Sequence, residues 1–225
     1  MFSVANDWNP KQALLKNLLR REEDFDEALS LTLELHAIVH ASDMPGHAGV
    51  SYEDEVWSRF DDAAFRAMPT KKDVTVAWNI WHITRIEDLA ANLLIAHGSQ
   101  VYSRDWRERI RATADDTGNA MTDEEILSFS QAADLMELKA YRNAVGERTR
   151  AVLSGLKPGD LKRKVAKAAI ARVREEGCVA DHPDALWLLD FWARKNVAGF
   201  LSMPITRHQV GHITDSLKLI QKQGF

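Results

Sequence analysis

Apolar residues in this chain recur at helical spacing and nowhere alternate with polar ones for long enough to predict a strand. Leu14, Leu15, Leu18, Phe25, Leu29 and Leu33 fall three, four and seven apart between Pro10, a first-turn proline after Asn9, and about Ala41. That spacing predicts one long first helix. From about Val74 to His97, the residues Trp78, His82, Ile86, Leu89 and Leu93 share one face of a second helix, which Gly98 ends. Thr122 with Glu125 three residues on is a capping-box signature; it opens a third helix that runs towards Leu153 and stops before Gly155. A fourth begins at Pro204 with Ser202 as its cap. Residues 42–73 hold Pro45, Gly46, Gly49 and Pro69 and read as a structured connection, with a short helix over 52–57 capped by Ser51. Residues 156–203 predict a basic helix from Leu161 to Glu176, stopped by Gly177, and an aromatic one from Asp184 to Phe200.

These elements make an all-α chain, read as a single domain over 1–225: an up-down antiparallel four-helix bundle with helical insertions between helices one and two and between three and four. At 225 residues, 45% of them apolar, the chain is long enough to bury a large core. Strict alternation places the end of helix one, the start of helix two, the end of helix three and the start of helix four at one end of the bundle.

Charge narrows the function. With 29 basic against 33 acidic residues the net charge is −4, which gives no reason to expect a nucleic-acid partner. The apolar runs are only a few residues long, and the N-terminus lacks a basic segment followed by an apolar one, so neither export nor membrane spanning is expected. The single cysteine, Cys178, rules out an internal disulfide and a cysteine-rich zinc module, and fits a reducing cytoplasm.

The histidines carry the chemistry. His208 and His212, at i and i+4, lie within about 40° on one face of helix four, so two imidazoles reach one ion. His82 sits at the centre of the apolar arc of helix two, where a buried imidazole needs a partner. A hydrogen bond to a facing side chain or a buried water is the plainer role for it. The bundle order, however, brings His82 to the start of helix four. Three neutral imidazoles with an open fourth position suit zinc, nickel or ferrous iron. His36 and His40, near the C-terminal end of helix one, are candidates for further ligands, outer-sphere donors or a general base. As cations facing the helix dipole they would have no chemical role at all.

The segments WNIWHITRIEDLAANLLI and RHQVGHITDSLKLI resemble the DinB/YfiT-like superfamily of four-helix bundles. In that superfamily one histidine of helix two and an HxxxH pair of helix four bind a divalent metal. The resemblance puts His82, His208 and His212 on those positions. It also implies a thiol-dependent transferase or isomerase using mycothiol, bacillithiol or glutathione, although many relatives have no assigned reaction. The longer first helix with His36 and His40 and the insertion over 156–203 depart from compact members, so a different substrate or coordination is open.

The resulting expectation is a metal-dependent transferase that takes a low-molecular-weight thiol and a small-molecule electrophile. Arg85 and Arg207 are candidate contacts for an acidic thiol; the run Lys162-Arg163-Lys164 reads better as a solvated face. Trp57, Trp81, Trp187 and Trp192 either wall the pocket or, more commonly for such spacing, pack in the core. Two alternatives stand beside this reading: a non-enzymatic, stress-associated bundle tied together by its ion, and metal-assisted hydrolysis. Hydrolysis needs a base, and Glu87, about 140° from His82 on the wheel, is worse placed than His40 or Asp43. A homodimer is expected of such bundles, with no face indicated.

Overall fold

The computed structural model describes residues 2–224, and among them it holds no strand, only an isolated bridge between Lys164 and Asn196. The helices are α1 (Asn9–Leu18), α2 (Phe25–Ile38), α3 (Asp54–Trp57), α4 (Asp62–Arg66), α5 (Val76–Asp88), α6 (Arg104–Ile110), α7 (Asp123–Ala132), α8 (Leu135–Ser154), α9 (Lys167–Glu175), α10 (Pro183–Ala193), α11 (Val197–Ser202) and α12 (His208–Lys222). The all-α class holds. Buried apolar side chains from Trp8 to Ile220 form one connected core.

Several predicted elements are divided, each at a local polar signal. The long first helix is two helices, because the polar run Arg20-Arg21-Glu22-Glu23-Asp24 makes a turn in which the Arg21 guanidinium pairs with the Asp24 carboxylate at 2.6 and 2.8 Å. The chain then reverses, and Lys11 of α1 pairs with Glu34 of α2. The third helix breaks at Ala133, since the Asp134 carboxylate accepts from the Met136 and Glu137 amides and starts α8 afresh. Asn196 does the same to the aromatic helix by capping Gly199. Thr122 and Glu125 form the predicted capping box. Ser202 makes no side-chain cap; residues Met203–Arg207 lead into α12 as a π-helical turn, just as Leu89–Ile95 extend α5.

α5 is the central element: every one of its residues is buried, and it packs on α8 to one side and α12 to the other. α12 runs antiparallel to it, His212 meeting Asn79 while Gln209 donates to the Ile83 carbonyl. α8 runs the same way as α5. Arg85 and Asp88 meet Tyr141 towards the start of α8, and Ile95 and Ala96 lie beside Ala151 and Val152 towards its end. The strict up-down alternation expected from the pattern is therefore not what is found: it would make α5 and α8 antiparallel and α5 and α12 parallel, and both relations are reversed. Residues 98–122, with α6 inside them, are long enough to carry the chain back along the roughly 30 Å of α5 and its extension before α7 and α8 start.

Candidate metal centre

α5 and α12 bring His82, His208 and His212 together, with ligand nitrogens within 4.8 Å of one another and ring centroids 4.6 to 5.1 Å apart. Local sequence fixes this. Thr75 caps the start of α5 by accepting from the Trp78 amide, and the i, i+4 spacing on α12 turns both imidazoles to α5. Trp78 lies one turn before His82 and stacks flat on its ring, 4.7 Å between centroids and 6° between planes. Gly118 closes the far side of Trp78: its φ of +75° suits glycine, and a Cβ there would come within 2.7 Å of the indole Nε1.

The outer nitrogens decide what the inner ones offer. His82 Nδ1 lies 2.6 Å from the Thr117 carbonyl, so it is the protonated nitrogen and Nε2 keeps its lone pair. His212 Nδ1 likewise donates to Asn79 Oδ1 at 2.8 Å. The Asn79 amide is itself oriented, because its Nδ2 donates to Ser216 Oγ while that hydroxyl donates to the His212 carbonyl. His208 Nδ1 is buried and has no partner. Its Nε2 lies 3.2 Å from His82 Nε2, close to the roughly 3.3 Å that separates two nitrogens bound tetrahedrally at about 2.0–2.1 Å from zinc. Burial lowers all three pKa values, that of His82 to about 3 with the neighbouring His212 adding to the effect. Three neutral imidazoles converge, two of them with their free nitrogens fixed by the oxygen behind the ring. This donor set fits a divalent ion.

The loop that supplies Thr117 is laid along α5 by side chains of that helix. Arg85 donates to the Asp115 carbonyl through Nε and Nη2 at 3.2 and 2.9 Å, Trp81 Nε1 donates to the Asp116 carbonyl at 3.1 Å, and His82 takes the Thr117 carbonyl. From the other side the Thr117 amide donates to the Cys178 carbonyl. Arg85 is thus not a ligand contact. It is 1% exposed and its remaining donors go to Tyr141 Oη, Gln100 Oε1 and Asp88.

Other predicted residues lie elsewhere. Arg207 is exposed and, with Lys16 and Lys218, lines a groove of about 590 Å³ between α1 and α12. Trp81 and Trp192 are core, Trp57 is half-buried and Trp187 is exposed. His36 and His40 are wholly buried, and burial lowers His40 to about 3, so His40 is not the cation at a helix end that the sequence also allowed. They meet Glu87, which approaches His36 Nε2 at 2.8 Å and His40 Nε2 at 3.0 Å. The wheel correctly kept Glu87 away from His82. It did not show where Glu87 goes, although an acid inside the apolar run of helix two required a buried partner. Asn79 and the Thr117 carbonyl carried no such signal.

A helical chain with a three-histidine centre shared between two antiparallel helices is the class this geometry defines. The DinB superfamily model matches residues 53–193, more than half of the chain, and the chain belongs to that superfamily. The match includes His82 and ends before α12, so the His208 and His212 contribution rests on the geometry above. No curated protein matches the chain. No helix among the described residues is long and apolar enough to cross a membrane.

Proposed function

We propose that this DinB-superfamily protein binds one divalent ion, zinc, nickel or ferrous iron, at His82, His208 and His212 and acts as a transferase that uses a low-molecular-weight thiol. One observation carries the reading: three neutral imidazoles converge, and among the described residues no fourth histidine, cysteine or carboxylate joins them. The ion would supply an undiminished positive charge that lowers the pKa of a thiol held at the fourth position. The chain's own part is positional. Thr117 and Asn79 hold the imidazoles as neutral donors, Trp78 shuts one side against water, and the half-buried His208 and His212 leave an approach from the other. A thiol co-substrate fits a reducing cytoplasm and the free, buried Cys178.

Thiol transfer is favoured over hydrolysis because the bases that hydrolysis needs are engaged. Glu87 is held by two imidazoles, and Asp43 is bound by Lys139 and Asn143. The test is elemental analysis of untagged protein and of His208→Ala, followed by titration of the cobalt-substituted protein with glutathione, bacillithiol and mycothiol. The expected result is a saturable change in the cobalt absorption that His208→Ala lacks. Metal bound with no response to any thiol would refute the transferase and leave a metal-binding bundle; no metal would refute both.

A further inference from the structure

α5 faces two histidine pairs. On one side it gives His82 to the i, i+4 pair His208 and His212 of α12; on the other it gives Glu87 to His36 of α2 and His40 of the turn that follows α2. The second group is entirely enclosed, all three side chains being 0% exposed. Its donor atoms are already gathered: Glu87 Oε1 lies 2.8 Å from His36 Nε2, and Oε2 lies 3.0 Å from His40 Nε2. Two imidazoles and a carboxylate form a common zinc donor set, and they suit other divalent first-row ions as well.

The charges around this group do not balance. Arg142 of α8 donates through Nε to Glu53 Oε2 at 2.6 Å and through Nη2 to the Val39 carbonyl at 2.6 Å. Its Nη1 has no partner and lies 4.0 Å from Glu87 Oε2. Glu53 and Glu87 are two buried carboxylates, and among the described residues Arg142 is the one permanent cation paired with either. Counting permanent charges alone, one carboxylate is left without an arginine of its own, and a divalent ion at Glu87 would answer it. The unpartnered Nδ1 atoms of His36 and His40 do not decide between occupants: they are bare lone pairs without an ion and bare N–H groups with one.

Space has been made for this arrangement at some expense to α8. Gly146 stands in the middle of that helix, where glycine disfavours helix by about 1 kcal/mol relative to alanine. A Cβ there would come within 2.6 Å of His40 Cε1 and Nδ1. The ring therefore occupies the notch that the missing side chain leaves.

We propose that His36, His40 and Glu87 bind a second divalent cation, separate from the His82 centre. Enclosed on all sides, this site ties α2 to α5 and takes no substrate. It does not depend on the thiol reading or on the first centre being occupied.

The test is metal content by elemental analysis of the untagged full chain and of single and double variants. Two equivalents are expected in the wild type, one in His208→Ala, one in Glu87→Gln and none in the double variant. A wild type with one equivalent that His208→Ala abolishes would overturn the second site; one equivalent that His208→Ala retains and Glu87→Gln loses would keep it and remove the first. Should Glu87→Gln not fold, anomalous scattering from wild-type crystals at the metal edge gives the same decision. A peak among His36, His40 and Glu87 supports the site, and no peak there refutes it.

Discussion

Arg85 grips the backbone of Asp115, its Nε and Nη2 lying 3.2 and 2.9 Å from that carbonyl oxygen, two residues before the carbonyl that orients His82. The guanidinium thereby positions a metal ligand it does not touch. Arg85→Lys keeps a positive charge beside Asp88 but cannot make the two-pronged contact. Metal affinity of the His82 centre is expected to fall about ten-fold or more, in the range for lost outer-sphere support. Competition with a chromophoric chelator measures it, and Trp81→Phe, which removes the single bond to the Asp116 carbonyl together with part of a buried ring, should give a smaller loss of affinity in the same direction.

Two glycines inside helices should respond oppositely to alanine. At Gly146 the new methyl meets His40 and Met44, so Gly146→Ala should destabilise by about 1–3 kcal/mol despite its helix preference. At Gly211 of α12 a Cβ meets nothing within 4 Å, and Gly211→Ala should stabilise by up to about 1 kcal/mol. Urea unfolding of both variants reads the contrast; equal effects would deny His40 its notch.

Stability of the metal-free chain should depend on acid in a defined window. His40 and His82 are both lowered to about 3 in the folded chain, burial being the main cause. Below the unfolded value near 6.5 the unfolded chain takes up protons that the folded one refuses, so stability is complete above that pH and is lost as pH falls towards 3. Two such groups give a slope of about 2.7 kcal/mol per pH unit inside the window. Chemical unfolding of chelator-treated protein at several pH values measures the slope, and a flat profile between pH 6.5 and 4 would contradict the buried, neutral imidazoles.

Charge pairs should differ sharply with depth. Arg142→Met leaves Glu53 and Glu87 without their guanidinium and should cost about 3–5 kcal/mol. Lys218→Met, which breaks an exposed pair with Asp215, should cost about 0–1 kcal/mol. Thermal unfolding of the two variants separates them.

Much of this was legible in the sequence where the signal was local. Periodicity gave the helices, Thr122 and Glu125 gave a cap that forms as read, and the i, i+4 spacing of His208 and His212 gave a pair that shares a face; the bundle order invoked to bring His82 to them did not hold, since α12 runs antiparallel to α5. Failures came where a local signal competed with periodicity or where the answer was long-range. The seven-residue rhythm from Leu18 to Phe25 masked a turn made by charged residues. Helix direction was not encoded in any pattern, since the return path over 98–122 lets α8 run parallel to α5. Arg85 looked like an exposed cation on a helix, and only the fold shows every donor spent inside.

The oxygen that sets the His82 tautomer belongs to the main chain of Thr117, not to its side chain. A substitution at position 117 leaves that acceptor in place and need not move the proton on the imidazole; what it would disturb is the buried Thr117 hydroxyl, which donates to Asn119 Oδ1. A one-residue insertion or deletion between Gly98 and Gly118 has no such tolerance, because it would slide the carbonyls of Asp115, Asp116 and Thr117 out of register with Arg85, Trp81 and His82 together. The length of that segment, more than the identity of residue 117, keeps the three carbonyls opposite their donors.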